Sequence, residues 1–308
     1  MQVMEKKPAT TKSAKRQVRH WLSAVFRRMP WTVQYTIRRV VNPPSHYSKF
    51  RNVFHCTTWR TASQWLRAIF ADKRIYEGSG LIPFTYETTL PGGVDTRPFT
   101  QKFLRSRFPR HTIATPLYIA YEPYREIPKP TESRALFVLR DPRDLVVSEY
   151  FSNRYSHVLV GDVPKLRAEL QELSERDGML RILCYLEEKG VFAAQRSWID
   201  GAASDSTVLV IRYEDLTAID NHAVWTSVLG HLDIQMSAAA LADLLREHSF
   251  EAQTGRKRGT ADINAHLRKG IHGDWKNYFD AEIVSQFKSV TGDLLLRLGY
   301  ETEATWGL

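Results

Sequence analysis

Residues 53–70 read VFHCTTWRTASQWLRAIF. The opening apolar run, Val53-Phe54-His55-Cys56, has the length and composition of a buried strand. A turn of small residues follows from Thr57 to Ser63. Trp65, Leu66, Ile69 and Phe70 then recur at helical spacing. A strand, a tight turn and a helix start together offer free backbone N–H groups and a positive helix end to a phosphate. Arg60 adds a fixed charge with several donors, and Thr61 and Ser63 add hydroxyls. The turn contains no glycine, so it is not the GxxxxGK[ST] loop of the nucleoside triphosphatases. A strand-turn-helix with one arginine is also ordinary architecture, and the stretch needs support from elsewhere in the chain.

The chain has 308 residues, 43% of them hydrophobic, enough for one large α/β domain with a filled core. No run approaches the length of a membrane-spanning helix, and the amino terminus lacks the apolar stretch of a secretory signal. Cys56 and Cys184 are the only cysteines; both are expected as reduced core residues, and two cysteines build neither a disulfide framework nor a metal site. The expected compartment is the cytoplasm. The net charge of +9 is unevenly placed: residues 1–51 hold twelve Lys and Arg against Glu5, which is +11 and leaves −2 for the remainder. The basicity belongs to an arm, and is not a nucleic-acid signature.

That arm, residues 1–50, is expected to be disordered over 1–16 and amphipathic from 18 to 41, with tryptophans and valines among arginines, ending at Pro43-Pro44. Residues 18–41 either pack on the main domain or make peripheral contact with an anionic membrane. Residues 51–308 form the main domain. Within it, residues 74–76 are expected as a short edge strand, 81–100 as an exposed loop, 101–108 as a basic helix, 111–115 as a strand, and 281–298 as one amphipathic helix.

A second unit, residues 134–151, reads RALFVLRDPRDLVVSEYF. Ala135 to Leu139 is a buried strand, Arg140 sits at its carboxyl end, and Asp141-Pro142 turns into a helix carrying Ser148. Open α/β sheets bind ligands at the carboxyl ends of their strands. Further on, a strand runs into Tyr213-Glu214-Asp215, His248-Ser249-Phe250 follows two helices, and residues 267–279 read LRKGIHGDWKNYF.

These units resemble, in order, the diagnostic motifs of the sulfotransferases that use 3′-phosphoadenosine 5′-phosphosulfate (PAPS). Thr58-Trp59-Arg60-Thr61-Ala62-Ser63 is similar to the TWRSGSS loop of the carbohydrate sulfotransferases; aligned on Trp65, Arg60 falls where the cytosolic PKSGTTW loop has its lysine. Arg140, Pro142, Arg143, Asp144, Ser148 and Tyr150 match R-[ND]-P-[KR]-D-x-x-x-S-x-Y, and Arg268-Lys269-Gly270 begins the RKGxxGDWKxxF signature. The resemblance implies a P-loop-like three-layer α/β/α domain with a central parallel sheet. It implies transfer of a sulfuryl group from PAPS to a hydroxyl or amine, releasing 3′-phosphoadenosine 5′-phosphate (PAP). By the same resemblance Arg60, Thr61, Ala62, Ser63, Gln64 and Trp65 hold the 5′-phosphosulfate, and Arg140, Ser148, Arg268, Lys269 and Gly270 hold the 3′-phosphate. Tyr213 and Phe250 lie beside the adenine. No metal is implied.

One position departs from the family. The histidine of K-[TS]-H-L-P, its general base, aligns with Thr115, and threonine is no base. Glu87 and then His111 are the candidates, with His55 a third. Arg60 keeps its proton, so it acts by charge and hydrogen bonds. The dimer motif KxxxTVxxxE is interrupted by Asp280-Ala281. Phe84, Tyr86, Phe99, Tyr118, Tyr121 and Tyr124 suggest an aromatic acceptor pocket, suited to a small molecule such as a phenol, a glycan or a glycolipid. Two other readings stand beside the enzyme: a PAP-binding module that has lost its base, and a P-loop nucleotide kinase.

Overall fold

The computed structural model describes residues 29–307. The chain divides after Pro44, upstream of the expected boundary at 50/51. Before the division, helix α1 (Trp31–Val41) starts after Pro30 and stops at Asn42, where the two prolines forbid continuation. The expected disordered arm and the amphipathic stretch from 18 to 28 lie outside the described residues.

Ser45–Leu308 forms one unit built on five parallel strands. These are β1 (Asn52–Thr57), β2 (Ile82–Phe84), β3 (Thr112–Tyr118), β4 (Ser133–Leu139) and β5 (Val208–Arg212), in the order β2-β3-β1-β4-β5. Helices α2 (Ser63–Phe70) and α3 (Lys73–Glu77) follow β1, and α4 (Tyr121–Arg125) follows β3. Between β4 and β5 lie α5 (Pro142–Phe151), α6 (Val163–Glu172), α7 (Glu175–Glu188) and α8 (Val191–Ala202). After β5 come α9 (Tyr213–Leu216), α10 (His222–His231), α11 (Ala238–Glu247), α12 (Phe250–Thr254), α13 (Ala281–Thr291) and α14 (Leu294–Arg297).

Strand periodicity sorts the core into two faces. Val53, Ile113, Leu136 and Val138 pack with Leu66, Ile69, Trp225 and Leu241. Phe54, Cys56, Ala135, Phe137 and Leu139 point the other way, onto Tyr121, Tyr124 and Trp198. The Trp198 ring stacks on Phe137 at 4.7 Å, and its indole N–H donates to the Ile119 carbonyl at 2.8 Å. Both faces are covered, which is why β1 and β4 read as unbroken apolar runs. The chain leaves β1 towards β2 and β3 but leaves β4 towards β5. The carboxyl ends of β1 and β4 therefore flank a topological switch point, where such sheets open a crevice.

Several local expectations are corrected. Residues 74–76 are helical, because the Asp72 carboxylate caps the Arg74 N–H at 2.9 Å and starts α3. The edge strand is β2, inside the stretch expected as a loop. The 101–108 segment forms no helix beyond the short turn Phe99–Gln101. Three of its side chains are drawn inward instead, Lys102, Leu104 and Phe108: the Lys102 ammonium lies 4.6 Å from the Phe99 ring, and Phe108 meets Phe54 edge-on at 5.3 Å. The final helix is broken at Gly292 (φ 57°, ψ −123°) into α13 and α14. Cys56 is buried as expected, but Cys184 is exposed on α7; both are free thiols.

Candidate functional site

A cavity of about 950 Å³ opens at the carboxyl ends of the strands, lined by the loop after β1 and by Arg140 after β4. The loop keeps its shape without glycine. Arg60 (φ 62°) and Ala62 (φ 56°) take left-handed backbone conformations, which cost a non-glycine residue about 1–2 kcal/mol each. Buried hydrogen bonds sustain them: the Thr61 hydroxyl donates to the Thr58 carbonyl at 2.9 Å and also meets the Thr57 hydroxyl, which donates to Val138 of β4 at 2.9 Å. Thr61 thus turns its side chain into the core, and only its backbone is available to a ligand. Ala62 offers no side-chain cap, so the first turn of α2 presents uncapped N–H groups, with no acidic residue beside them.

Around this loop the cations converge. Arg140 Nη1 donates to the Arg60 carbonyl at 2.8 Å, and Arg60 Nε donates to Ser148 Oγ at 3.2 Å. Arg140 Cζ lies 4.6 Å from the Tyr213 ring centroid, while Arg140 Nε is buried without a partner. Asp144 stands 4.0 Å from Arg140, but its two oxygens are spent on the backbone N–H groups of Gly273 (2.6 Å) and Trp275 (3.0 Å). The next arginine clamps the start of α5: Arg143 pairs with Asp141 at 2.7 Å and with Glu301, and lies 3.9 Å from the Trp275 ring.

The far wall of the cavity comes from residues after β5. Trp65 donates its indole N–H to the His248 carbonyl at 2.6 Å, and Phe250 faces the cavity with Tyr213. Gly270 (φ 68°) passes so near Phe250 that a Cβ there would stand 2.5 Å from the ring, so the chain can follow this path only with glycine. Arg268 and Lys269 line the cavity and pair with Asp274.

Of the expected site residues, the structure brings Arg60, Ala62, Ser63, Gln64 and Trp65 to the cavity, and likewise Arg140, Ser148, Tyr213 and Phe250. Arg268, Lys269, Gly270 and Glu87 complete the set. His111 is elsewhere: it precedes β3, at the amino end of the strand, and its carbonyl accepts the Ile82 N–H at 3.0 Å. His55 is buried in the sheet, its Nδ1 2.9 Å from Thr115 Oγ1, and burial pushes its pKa down to about 3. Thr115 is buried as well, so the position of the family histidine does not face the cavity. Glu87 does, and burial raises its pKa, with Lys102 opposing.

The aromatic wall differs from expectation. Tyr121 and Tyr124 belong to the core under Trp198; the cavity is lined instead by Trp59, Tyr118, Phe151 and Tyr185, with Trp59 stacked on Tyr185 at 5.8 Å. Tyr118 alone was foreseen. Glu149 and His266 are among the polar groups on the cavity that carry no sequence signal. Glu149 sits 3.7 Å from Arg60, directly after Ser148, where the motif carries no constraint. His266 borders the cavity, and burial with the charge of Arg60 pushes its pKa down to about 4.

A family model described as "Sulfotransferase domain" matches residues 119–299. The chain belongs to this family and is a sulfotransferase. The match begins after β3, so the loop of residues 57–63 lies outside it and rests on its own geometry. A flavonol sulfotransferase-like protein of Flaveria bidentis is 21% identical over 275 residues, covering 80% of this chain and 82% of the relative. The 3-alpha-hydroxysteroid sulfotransferase of Cavia porcellus is 23% identical, over 56% of this chain and 61% of that protein. Among solved structures, mouse sulfotransferase SULT7A1 complexed with PAP shares the fold with a TM-score of 0.54 at 19% identity, covering 82% of this chain and 86% of that one.

Proposed function

We propose that the cavity holds PAPS and that the chain transfers its sulfuryl group to the hydroxyl of a small molecule. The observation that carries this reading is the knot at the switch point: Arg140 bonded to the Arg60 carbonyl, and Arg60 bonded to Ser148, around one cavity. Two buried guanidiniums with an orphaned Arg140 Nε suit a doubly anionic ligand, and the Tyr213 and Phe250 rings on the cavity wall offer flat faces to a base. Arg60 and the backbone N–H groups of residues 61–64 would hold the 5′-phosphosulfate. Arg140, Ser148, Arg268 and Lys269 would hold the 3′-phosphate, with Tyr213, Trp65 and Phe250 beside the adenine. When bound, PAPS supplies an activated sulfuryl group on a phosphate leaving group.

The protein's part is orientation and charge. Arg60 and the start of α2 stabilise negative charge at the leaving oxygen. The 3′-phosphate contacts add binding energy away from the reacting bond. Glu87 takes the acceptor proton: it is the one sequence candidate on the cavity, and its raised pKa keeps it a better base than an ordinary carboxylate. The stacked wall of Trp59 and Tyr185 favours a flat or alicyclic acceptor, in keeping with the flavonol and hydroxysteroid named for the relatives. A glycan is the second reading, on the likeness of residues 58–63 to the carbohydrate-type loop. Helix α1, with exposed Val40 and Val41 beside Arg38 and Arg39, supports a peripheral contact with anionic lipid. Sedimentation with phosphatidylserine vesicles checks that contact; a pellet free of protein ends it.

The site itself is tested by calorimetry of PAP binding, without metal, to wild type and Arg140→Ala. Loss of a buried charged partner predicts at least about a hundredfold weaker binding in the variant. A wild type that does not bind PAP overturns the reading, and ATP with Mg²⁺ is the next ligand to try.

A further inference from the structure

Asp274, the acid of the GDWK segment, is buried, with 3% of its surface exposed. Lys269 Nζ donates to its Oδ1 at 2.6 Å, Asn277 Nδ2 donates to the same oxygen at 2.8 Å, and Arg268 Nη2 donates to Oδ2. Burial alone pushes the carboxyl upward, but these three donors more than offset it and hold its pKa below the usual range. The turn that carries Asp274 is itself fastened. The N–H groups on either side, of Gly273 and Trp275, end on the oxygens of Asp144, one helical turn after Arg140. Arg268 is held from a second side, with Cζ 4.4 Å from the Phe151 ring. Each cation gives donors to Asp274 and has others left, and both line the cavity.

We propose that Asp274 is a positioning residue that fixes Arg268 and Lys269 as a pair of prongs for the 3′-phosphate, and so sets the preference for a 3′-phosphorylated nucleotide. This deepens the assignment of the cavity to PAPS and rests on it. Ordering a long lysine or arginine side chain costs rotamer entropy. A carboxylate that has already ordered them removes that cost from the binding step. The opposing effect is charge. Without Asp274 the trio goes from +1 to +2 and attracts a phosphate more strongly. Freed of their partner, however, the two long side chains turn towards water, where the attraction is screened. Position therefore outweighs charge.

The test compares PAP with adenosine 5′-monophosphate, which lacks only the 3′-phosphate, by calorimetry on wild type, Asp274→Asn and Asp274→Glu. Wild type should bind PAP more tightly than the monophosphate. Asp274→Asn should weaken PAP about tenfold or more and the monophosphate less than about twofold. Asp274→Glu keeps the charge but shifts the carboxylate by a methylene, and its PAP preference should also shrink. Unchanged monophosphate binding shows that each variant is folded. Equal loss for both nucleotides makes Asp274 a merely structural residue and overturns the proposal. Tighter PAP binding in Asp274→Asn overturns it too, by showing that the carboxylate competes with the phosphate. A wild type that binds neither nucleotide, or both equally, instead removes the underlying assignment.

Discussion

Arg60 shows how much a single residue carries here. Its carbonyl accepts from Arg140, its Nε reaches Ser148, and Glu149 sits 3.7 Å away. Sequence reasoning picked Arg60 for its charge and its place after a strand. It could not assign the left-handed backbone at Arg60 and Ala62, because no glycine marks it. Thr61 was chosen for its hydroxyl and proves to use that hydroxyl inside the loop. Glu87 makes the prediction at this scale. Burial raises its pKa, and a base must be ionised, so kcat/KM should rise with pH as Glu87 deprotonates. Glu87→Gln should remove that limb and lower kcat by about 10²–10⁴, with PAP affinity unchanged. Retention of the limb in this variant would move the role to another group on the cavity, with His266 the first to test.

At the level of elements, the RDPRD and GDWK segments prove to be cross-linked. Arg143 covers Trp275, and Asp144 accepts from Gly273 and Trp275, so two segments more than a hundred residues apart in sequence are locked together. The spacing RDPRDxxxS was legible as a motif. That its second arginine and second aspartate hold another motif was not, because such contacts depend on long-range packing. Asp144→Asn exchanges one acceptor oxygen for an amide group facing an N–H donor. The expected cost is about 2–3 kcal/mol of stability by urea unfolding, since a buried donor is left unsatisfied. PAP affinity should fall in the same variant, because residues 268–270 lose their anchor. The misplaced helices have local causes as well. Asp72 starts α3 by capping, and Gly292 ends α13.

For the whole molecule, the parallel sheet places an imidazole where water does not reach. His55 in β1 is fully buried, one ring nitrogen is bonded to Thr115 and the other has no partner, and its pKa is about 3 against an ordinary 6.5. Below pH 6.5 the unfolded chain takes up a proton at His55 that the folded one refuses. This contribution to stability is complete above about pH 6.5 and is lost on acidification, at up to about 1.4 kcal/mol per pH unit, until about pH 3. Urea unfolding of wild type and His55→Gln between pH 6.5 and 4.5 should show a shallower slope in the variant. The sequence implied the parallel α/β architecture through its resemblance to the family's motifs, and apolar strand runs that must be covered on both faces accord with it. It also determined which cations gather at the carboxyl ends of β1 and β4, because those residues sit at fixed offsets from their strands. Only the tertiary structure decided which side chains reach the cavity. It turned Thr61, Tyr121 and Tyr124 inward, left His111 at the opposite end of its strand, and brought Trp59, Tyr185, Glu149 and His266 to the cavity. Local pattern sets a residue's element and face, but what lies across that face is set by chain that arrives from far away in sequence.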